Sequence, residues 1–201
     1  MVHFKVEGGV VALEKEITKL DQFALDVVGL VQKYTDYVII SGYVSIFFGR
    51  ARATEDIDMF IKNLSYDLFS ALYEESVTKG YEWTVDNPED LYFEYLKKCV
   101  PICIWRKAFP LLRIEMKIAT KPSQLIQFQD KITVKFKGQT LFMANIEGQI
   151  AYKRYIAKSE KDLADARHLE LVFQGINPAK IQHYRKLFEE EFNEGNPHAE
   201  R

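Results

Sequence analysis

Two carboxylates separated by a single isoleucine, Asp56 and Asp58, are the residues of this chain whose type and spacing best suit chemistry. Ile57 and the apolar residues that follow, Met59 to Ile61, favour a short β-strand, in which side chains two positions apart lie on the same face. Two carboxylates on one face can hold one or two hard divalent cations, which prefer oxygen ligands. An isolated Asp-x-Asp is common in surface strands and turns, so the surrounding residues decide between a metal site and a solvated strand.

The residues before this pair predict the elements that position it. Leu13, Ile17 and Leu20 begin an apolar stripe at helical spacing, which predicts an amphipathic helix over Val10–Lys33. A short buried strand, a small-residue turn and a brief helix ended by Gly49 are expected next, at Tyr37–Ile40, Ser41-Gly42 and Tyr43–Phe48.

The later elements change from strands to helices. After a helix capped by Ser65 that reaches Lys79, and another opened by Asn87-Pro88, we expect strands at Val100–Trp105, Leu111–Ala119, Ile132–Phe136 and Thr140–Met143. Three helices should follow, over Asn145–Lys158, from Ser159 to Phe173, and from Asn177-Pro178 to about Phe192. The pattern predicts an α+β fold in which a mixed sheet carries the carboxylate strand near its centre and a helical bundle follows. The expected divisions are a core with an N-terminal helix (1–144), a C-terminal helical region (145–193) and a flexible tail (194–201).

These residues carry a resemblance. The buried strand, Ser41-Gly42, the short helix, Gly49-Arg50-Ala51-Arg52-Ala53-Thr54 and Asp56-Ile57-Asp58 resemble the signature of the nucleotidyltransferase superfamily related to DNA polymerase β. A later strand in that superfamily supplies a third acid, and Leu111–Ala119 offers Glu115. Lys153 followed by Ser159-Glu-Lys-Asp-Leu-Ala-Asp-Ala-Arg resembles the AbiEii type of nucleotidyltransferase toxin and related small prokaryotic proteins.

The resemblance implies an enzyme that transfers a nucleoside monophosphate from a nucleoside triphosphate to an acceptor hydroxyl. It implies Mg²⁺ or Mn²⁺, two ions, held by catalytic acids that are also the metal ligands, namely Asp56, Asp58 and Glu115. It also implies a group of nucleotide-binding residues, namely Ser41, Gly42, Arg52, Thr54, Lys153, Asp162 and Asp165. In such a site, backbone N–H groups at the turn and the basic side chains would bind the triphosphate.

Several assignments have a structural alternative. Glu115 lies between Arg113 and Lys117 on one strand face, so a cross-strand ion pair competes with the metal role. Asp162 and Asp165 fall in the first turns of a helix, where acids are favoured without any function. The chain also has Ser41 where the family usually has glycine, and Glu115 where aspartate is commoner. A catalytically inactive nucleotide- or RNA-binding protein of the same fold is therefore the alternative function.

The charge distribution bears on partners. Residues 97–158 contain 13 Lys or Arg against 3 Asp or Glu, although the whole chain has a net charge of −2. This basic segment could bind an RNA end such as tRNA, or an acidic antitoxin-like protein in a toxin-antitoxin pair, or it could face acidic residues of its own chain. No apolar run is long enough to cross a bilayer and no leader pattern is present, so we expect a cytoplasmic protein without membrane contact.

Overall fold

The computed structural model describes residues 3–54 and 56–194. The strands are β1 His3–Glu7, β2 Val10–Glu14, β3 Tyr37–Ile40, β4 Asp56–Ile61, β5 Tyr81–Trp83, β6 Ile102–Arg106, β7 Phe109–Ile118, β8 Ile132–Phe136 and β9 Gln139–Met143. The helices are α1 Lys19–Val31, α2 Gly42–Phe47, α3 Tyr66–Thr78, α4 Pro88–Asp90, α5 Pro122–Gln129, α6 Ile146–Tyr152, α7 Glu160–Val172 and α8 Pro178–Glu194. α4 continues into a π-helical turn, Leu91–Tyr95, and a 3₁₀ turn, Leu96–Lys98, while α6 continues into the π-helical segment Lys153–Ala157.

The strands form one mixed sheet in the order β1-β2-β8-β9-β3-β4-β7-β6-β5. β4 lies inside the sheet, antiparallel to β3 and parallel to β7. The predicted α+β class, with a mixed sheet followed by helices, is confirmed.

The alternation of side chains along β4 separates the core from the site. Ile57, Met59 and Ile61 are buried in the large apolar cluster, while Asp56, Asp58 and Phe60 are partly exposed on the opposite face. That opposite face has its own small cluster, made of Val38, Ala119, Phe128 and Ala144, against which Ile40 and Phe60 pack. The acids therefore stand on a rigid strand beside a second, smaller apolar layer.

The helix predicted from Val10 is wrong in its first part. Residues Val10–Glu14 form β2, paired with β1 and β8, and their burial alternates as in a strand with one covered face. The helix begins only at Lys19, because Thr18 and Asp21 form a capping box, with the Asp21 N–H donating to Thr18 Oγ1 and the Thr18 N–H donating to Asp21 Oδ2.

The predicted flexible tail, 194–201, shares only Glu194, the last residue of α8, with the described part of the chain. Residues 195–201 lie outside the described residues. Within the described part of the chain, the helices are all too short or too polar to cross a lipid bilayer.

Candidate active site

The acids predicted from the sequence lie side by side on β4 and β7. Asp58 is directly opposite Glu115 in the parallel pairing, and Asp56 is opposite Arg113. Paired residues of neighbouring strands point to the same face and lie about 5 Å apart. The register thus brings Asp56, Asp58 and Glu115 together on the face away from the main core.

The electrostatics of these acids show a concentration of negative charge. Burial raises the pKa of Asp58, and the charge of Asp56 raises it further, against the lowering effects of a hydrogen bond from Ser41 and the charges of Lys153 and Lys161. Burial and the charges of Asp58 and Asp56 likewise raise the pKa of Glu115. Carboxyl groups that repel one another in a partly buried position are arranged to receive positive charge.

Arg113 takes part in this acid cluster through Asp56. Its Nε donates a hydrogen bond to Asp56 Oδ1, across the β4–β7 pair. Glu115 has no ion-pair partner within 4.0 Å among the described residues, so the cross-strand ion pair expected as an alternative for Glu115 is made by Asp56 instead. In residues 3–54 and 56–194, no group of three or more His, Cys, Asp or Glu side chains is arranged to hold a metal ion.

The turn after β3 places Ser41 against the acids. Ser41 has φ 64° and ψ −137°, a backbone conformation that favours glycine, and its hydroxyl bonds to Asp58. The Ser41 N–H donates to Gln149 Oε1 at 2.9 Å, so this N–H is already occupied by a side chain of α6. Ser41 is therefore held in place from both sides of the site.

Arg52 lies directly over Gly42. A Cβ on residue 42 would lie 2.0 Å from Arg52 Nη2, so only glycine leaves room for this guanidinium. The guanidinium is fixed by two bonds to one carboxylate, from Nε to Asp165 Oδ1 and from Nη2 to Asp165 Oδ2, each 3.2 Å long. This bidentate pairing is geometrically specific and explains why a small residue follows Ser41.

Three basic side chains, Arg50, Arg52 and Lys153, gather around Asp165. Lys153 and Asp165 are the buried pair at the centre of this group. Lys153 is 1% exposed and its Nζ lies 3.0 Å from Asp165 Oδ2 and 3.2 Å from Asp162 Oδ1. Arg50 Nε lies 3.5 Å from Asp165 Oδ1, within ion-pair range but without hydrogen-bond geometry. Among the described residues, Arg50, Arg52 and Lys153 form ion pairs with two carboxylates, those of Asp162 and Asp165.

Asp162 and Asp165, the two acids of α7, do more than favour the start of the helix. The Asp162 N–H donates to Ser159 Oγ at the start of α7, so Asp162 does lie in the first helical turn. Although burial raises its pKa, the bond from Ser159 and the charge of Lys153 bring the pKa of Asp162 below its usual range. Asp165 is fully buried and pairs with side chains from two other segments. Both acids therefore pair with cations of the site.

The Thr54 side chain forms a hydrogen bond with the backbone at the start of β4. Its Oγ1 donates to the Asp56 carbonyl oxygen at 2.9 Å. This contact fixes the loop that carries Arg52 relative to the first acid.

Sequence reasoning gave no role to Gln149 or Lys161, and it named Arg50 only as part of the loop motif. It considered Arg113 beside Glu115, whereas Arg113 pairs with Asp56, directly opposite it in the β4–β7 pairing. Gln149 pairs with Ser41 across 108 residues, and no local pattern predicts such a contact.

A cavity of about 460 Å³ opens beside Ser41, Asp58 and Glu115. Its floor continues along β4 and β7 through Phe60 and Lys117, and its walls come from α5, α6 and α8. Glu191 of α8 accepts hydrogen bonds from the N–H and the Oγ of Ser123, which fastens α8 to the start of α5. We call this the α8 cavity; aromatic residues in its lining are Phe60, Tyr152, Phe188 and Phe192.

Comparison with known proteins gives a fold and little else. No protein-family model matches the chain, and no curated protein matches its sequence. The crystal structure of an antigenic nucleotidyltransferase-like protein from Paracoccidioides brasiliensis is similar, with a TM-score of 0.51, 15% identity, and 89% of this chain and 88% of that chain covered. The lincomycin-bound crystal structure of the lincosamide antibiotic adenylyltransferase LnuA gives a TM-score of 0.49, 13% identity, and coverage of 79% and 100%. The chain therefore has the fold seen in a nucleotidyltransferase-like protein.

Proposed function

We propose that this protein is a metal-dependent nucleotidyltransferase that moves a nucleoside monophosphate from a nucleoside triphosphate to an acceptor hydroxyl. The observation that carries the proposal is the facing pair Asp58 and Glu115, placed beside a turn that Arg52 covers. In the transfer, the acceptor oxygen bonds to the α-phosphorus, the bond from that phosphorus to the pyrophosphate oxygen breaks, and the hydroxyl proton is released. The similar Paracoccidioides protein is nucleotidyltransferase-like, which agrees with this reaction class.

The donor atoms of the acid cluster fit a hard divalent ion. Asp56, Asp58 and Glu115 offer only carboxylate oxygens, which Mg²⁺ and Mn²⁺ accept, and they would hold the one or two ions once Asp56 turns from Arg113. Such ions neutralise phosphate charge and favour ionisation of the attacking hydroxyl. Ser41 orients Asp58, and Arg52 and Lys153 add positive charge where the β- and γ-phosphates are expected.

The acceptor predicted from the basic segment 97–158 is an RNA end, and the predicted protein partner is an acidic antitoxin. At least seven of the 13 basic side chains of that segment already pair with carboxylates of the same chain: Lys98, Arg106, Lys107, Arg113, Lys137, Lys153 and Arg154. Intramolecular pairing therefore accounts for much of the charge asymmetry and weakens the support for RNA. A toxin role stays a prediction.

The alternative, a silent nucleotide binder, is favoured by one observation, the bond between Arg113 and Asp56. The experiment that separates the two measures Mg²⁺-dependent pyrophosphate release from each of the four nucleoside triphosphates, with small molecules, RNA and soluble protein from a cell lysate supplied as acceptors. We expect release with wild type and loss with Asp58→Asn, while Asp67→Asn, an exposed acid at the start of α3, behaves as wild type. Nucleotide binding without release in wild type would replace the transferase with the silent binder.

A further inference from the structure

The α8 cavity begins at the turn after β3 and at the acid cluster, because Ser41, Asp58 and Glu115 all line it. From there it extends to Phe60 on β4 and to Lys117 on β7. Arg52 and Lys153 are not among the described residues that line it. Asp58 and Glu115 therefore border the cavity, while the cations paired with Asp165 lie outside it.

This arrangement indicates where the leaving oxygen and the attacking oxygen lie. In phosphoryl transfer, the attacking oxygen and the leaving oxygen lie roughly in line on either side of the phosphorus. Pyrophosphate held near Arg52 and Lys153 places the attacking hydroxyl on the far side of the acids. The α8 cavity, which Asp58 and Glu115 line and Arg52 and Lys153 do not, offers space for that hydroxyl.

The size and lining of the α8 cavity indicate a small molecule. A volume of about 460 Å³ falls in the range of pockets that enclose small ligands. Phe60, Tyr152, Phe188 and Phe192 offer ring surface, and the Tyr152 and Phe188 rings meet edge to face with centroids 5.5 Å apart. Only two basic side chains, Lys117 and Lys121, line it within the described residues, too few to follow a nucleic acid backbone.

Gln127 is a buried polar side chain in the lining of the α8 cavity. It is 3% exposed, lines the α8 cavity, and its Nε2 donates to the Ser123 carbonyl oxygen at 3.1 Å. Its Oε1 is buried and accepts no hydrogen bond from the described residues. A buried acceptor without a partner is unfavourable, and a ligand with an N–H or O–H donor would satisfy it once the Gln127 amide turns toward the cavity.

We infer that the α8 cavity binds the acceptor substrate, a small hydroxyl-bearing compound with an apolar ring or hydrocarbon part and a hydrogen-bond donor directed at Gln127. This inference rests on the proposed function. It replaces the RNA end as the acceptor.

The first test asks which fraction of a cell lysate receives a labelled nucleoside monophosphate from the enzyme. Wild type and Asp58→Asn are incubated with Mg²⁺, one α-labelled nucleoside triphosphate at a time, and either a small-molecule ultrafiltrate, purified RNA or soluble protein. The inference requires Asp58-dependent label in a compound of the ultrafiltrate. Label in RNA or protein alone overturns it while the transferase stands. Absence of both label and pyrophosphate release overturns the proposed function and the inference with it, whereas pyrophosphate release without any labelled acceptor overturns the inference alone.

The second test places the labelled acceptor in the cavity. Gln127→Leu removes the unpartnered oxygen, and we expect the KM of the acceptor to rise about ten-fold, as for one lost hydrogen bond, with the KM of the nucleotide within about two-fold. Gln182→Leu, the same change at an exposed position of α8, is the control. Equal acceptor KM values for Gln127→Leu and the control overturn the inference.

Gln127 is buried, so its replacement could disturb folding. A second variant therefore changes an exposed residue of the cavity. Phe192 is 56% exposed at the cavity wall, so Phe192→Ala should fold and raise the acceptor KM several-fold. Phe109→Ala, at the 52% exposed start of β7, is its matched control. No change in acceptor KM for Phe192→Ala also counts against the inference.

Discussion

Arg113 and Asp56 are joined across β4 and β7 by a hydrogen bond between their charged groups. The carboxylate that begins β4 is thus already neutralised in part, while Asp58 and Glu115 repel each other beside it. A divalent ion that uses Asp56 must compete with the guanidinium.

This competition predicts that Arg113→Gln binds Mn²⁺ more tightly in the absence of nucleotide. The pair is about half exposed, and such pairs contribute at most about 1 kcal/mol, so the gain should be about two- to five-fold in Kd. Titration calorimetry measures it, with Lys107→Gln, whose side chain pairs with Glu82, as the control. Weaker Mn²⁺ binding by Arg113→Gln would show that the guanidinium supports the site.

Asp58→Asn should stabilise the protein at neutral pH while it abolishes activity. The folded pKa of Asp58 is raised above its unfolded value of about 3.9, so the folded state binds the proton more tightly. Wild-type stability therefore falls as the pH rises through the window between the unfolded pKa and the folded pKa. Removing the charge should add about 1 kcal/mol to the free energy of unfolding at pH 7, measured by urea denaturation.

The same experiment at a pH below that window is the internal control, because wild-type Asp58 is then protonated in both states and the advantage of Asp58→Asn should disappear. Addition of Mg²⁺ should stabilise wild type more than the variant. A variant less stable than wild type at pH 7 would contradict the electrostatic description.

Asp165→Asn should destabilise the protein by about 3 kcal/mol, because it leaves the buried Lys153 and the partly buried Arg52 with too little negative charge. Thermal and urea unfolding measure the loss. Glu94→Gln, which breaks the exposed pair with Lys98, should cost less than about 0.5 kcal/mol. Similar losses for the two variants would mean that the buried cluster contributes no more than a surface pair.

Ser41→Gly should separate backbone strain from acid positioning. Glycine adopts φ 64° freely, which should add about 1 kcal/mol to stability, less the lost bond to Asp58. Loss of that bond should raise the pKa of Asp58 further and move the acidic limb of the rate profile to higher pH.

Lys137→Gly is the control for strain alone, because Lys137 also has positive φ, at 47°, in the β8–β9 turn. It should stabilise the protein and leave the rate profile unchanged. An unchanged profile for Ser41→Gly would remove Ser41 from the acid cluster.

The parts of the site that depend on strand periodicity could be predicted from the sequence. Asp56, Asp58 and Glu115 stand two apart or on one strand face, and the observed register keeps them together. The alternation within Val10–Glu14 was overridden by the stronger helical pattern that follows, although β-branched valines favour the strand that forms.

Contacts set by tertiary packing could not be predicted. The resemblance implied a nucleotide-binding role for Gly42, but no local pattern predicted that the Arg52 guanidinium would lie against it. Its position depends on Asp165, 113 residues away, and nothing local to either residue specifies that distance. Strand β5 and helix α5 were missed because three residues of Tyr81–Trp83 and a lysine-proline start give weak local signals.

The long-range bonds of the site also bear on how the chain unfolds. Ser41 with Gln149, Arg52 with Asp165, and Ser123 with Glu191 each join the sheet-containing part of the chain to the helices that follow residue 145. Melting those helices would break all three and expose Lys153 and Asp165 together. The sheet and the C-terminal helices should therefore behave as one cooperative unit, with the slowest amide exchange of α6 matching that of β4.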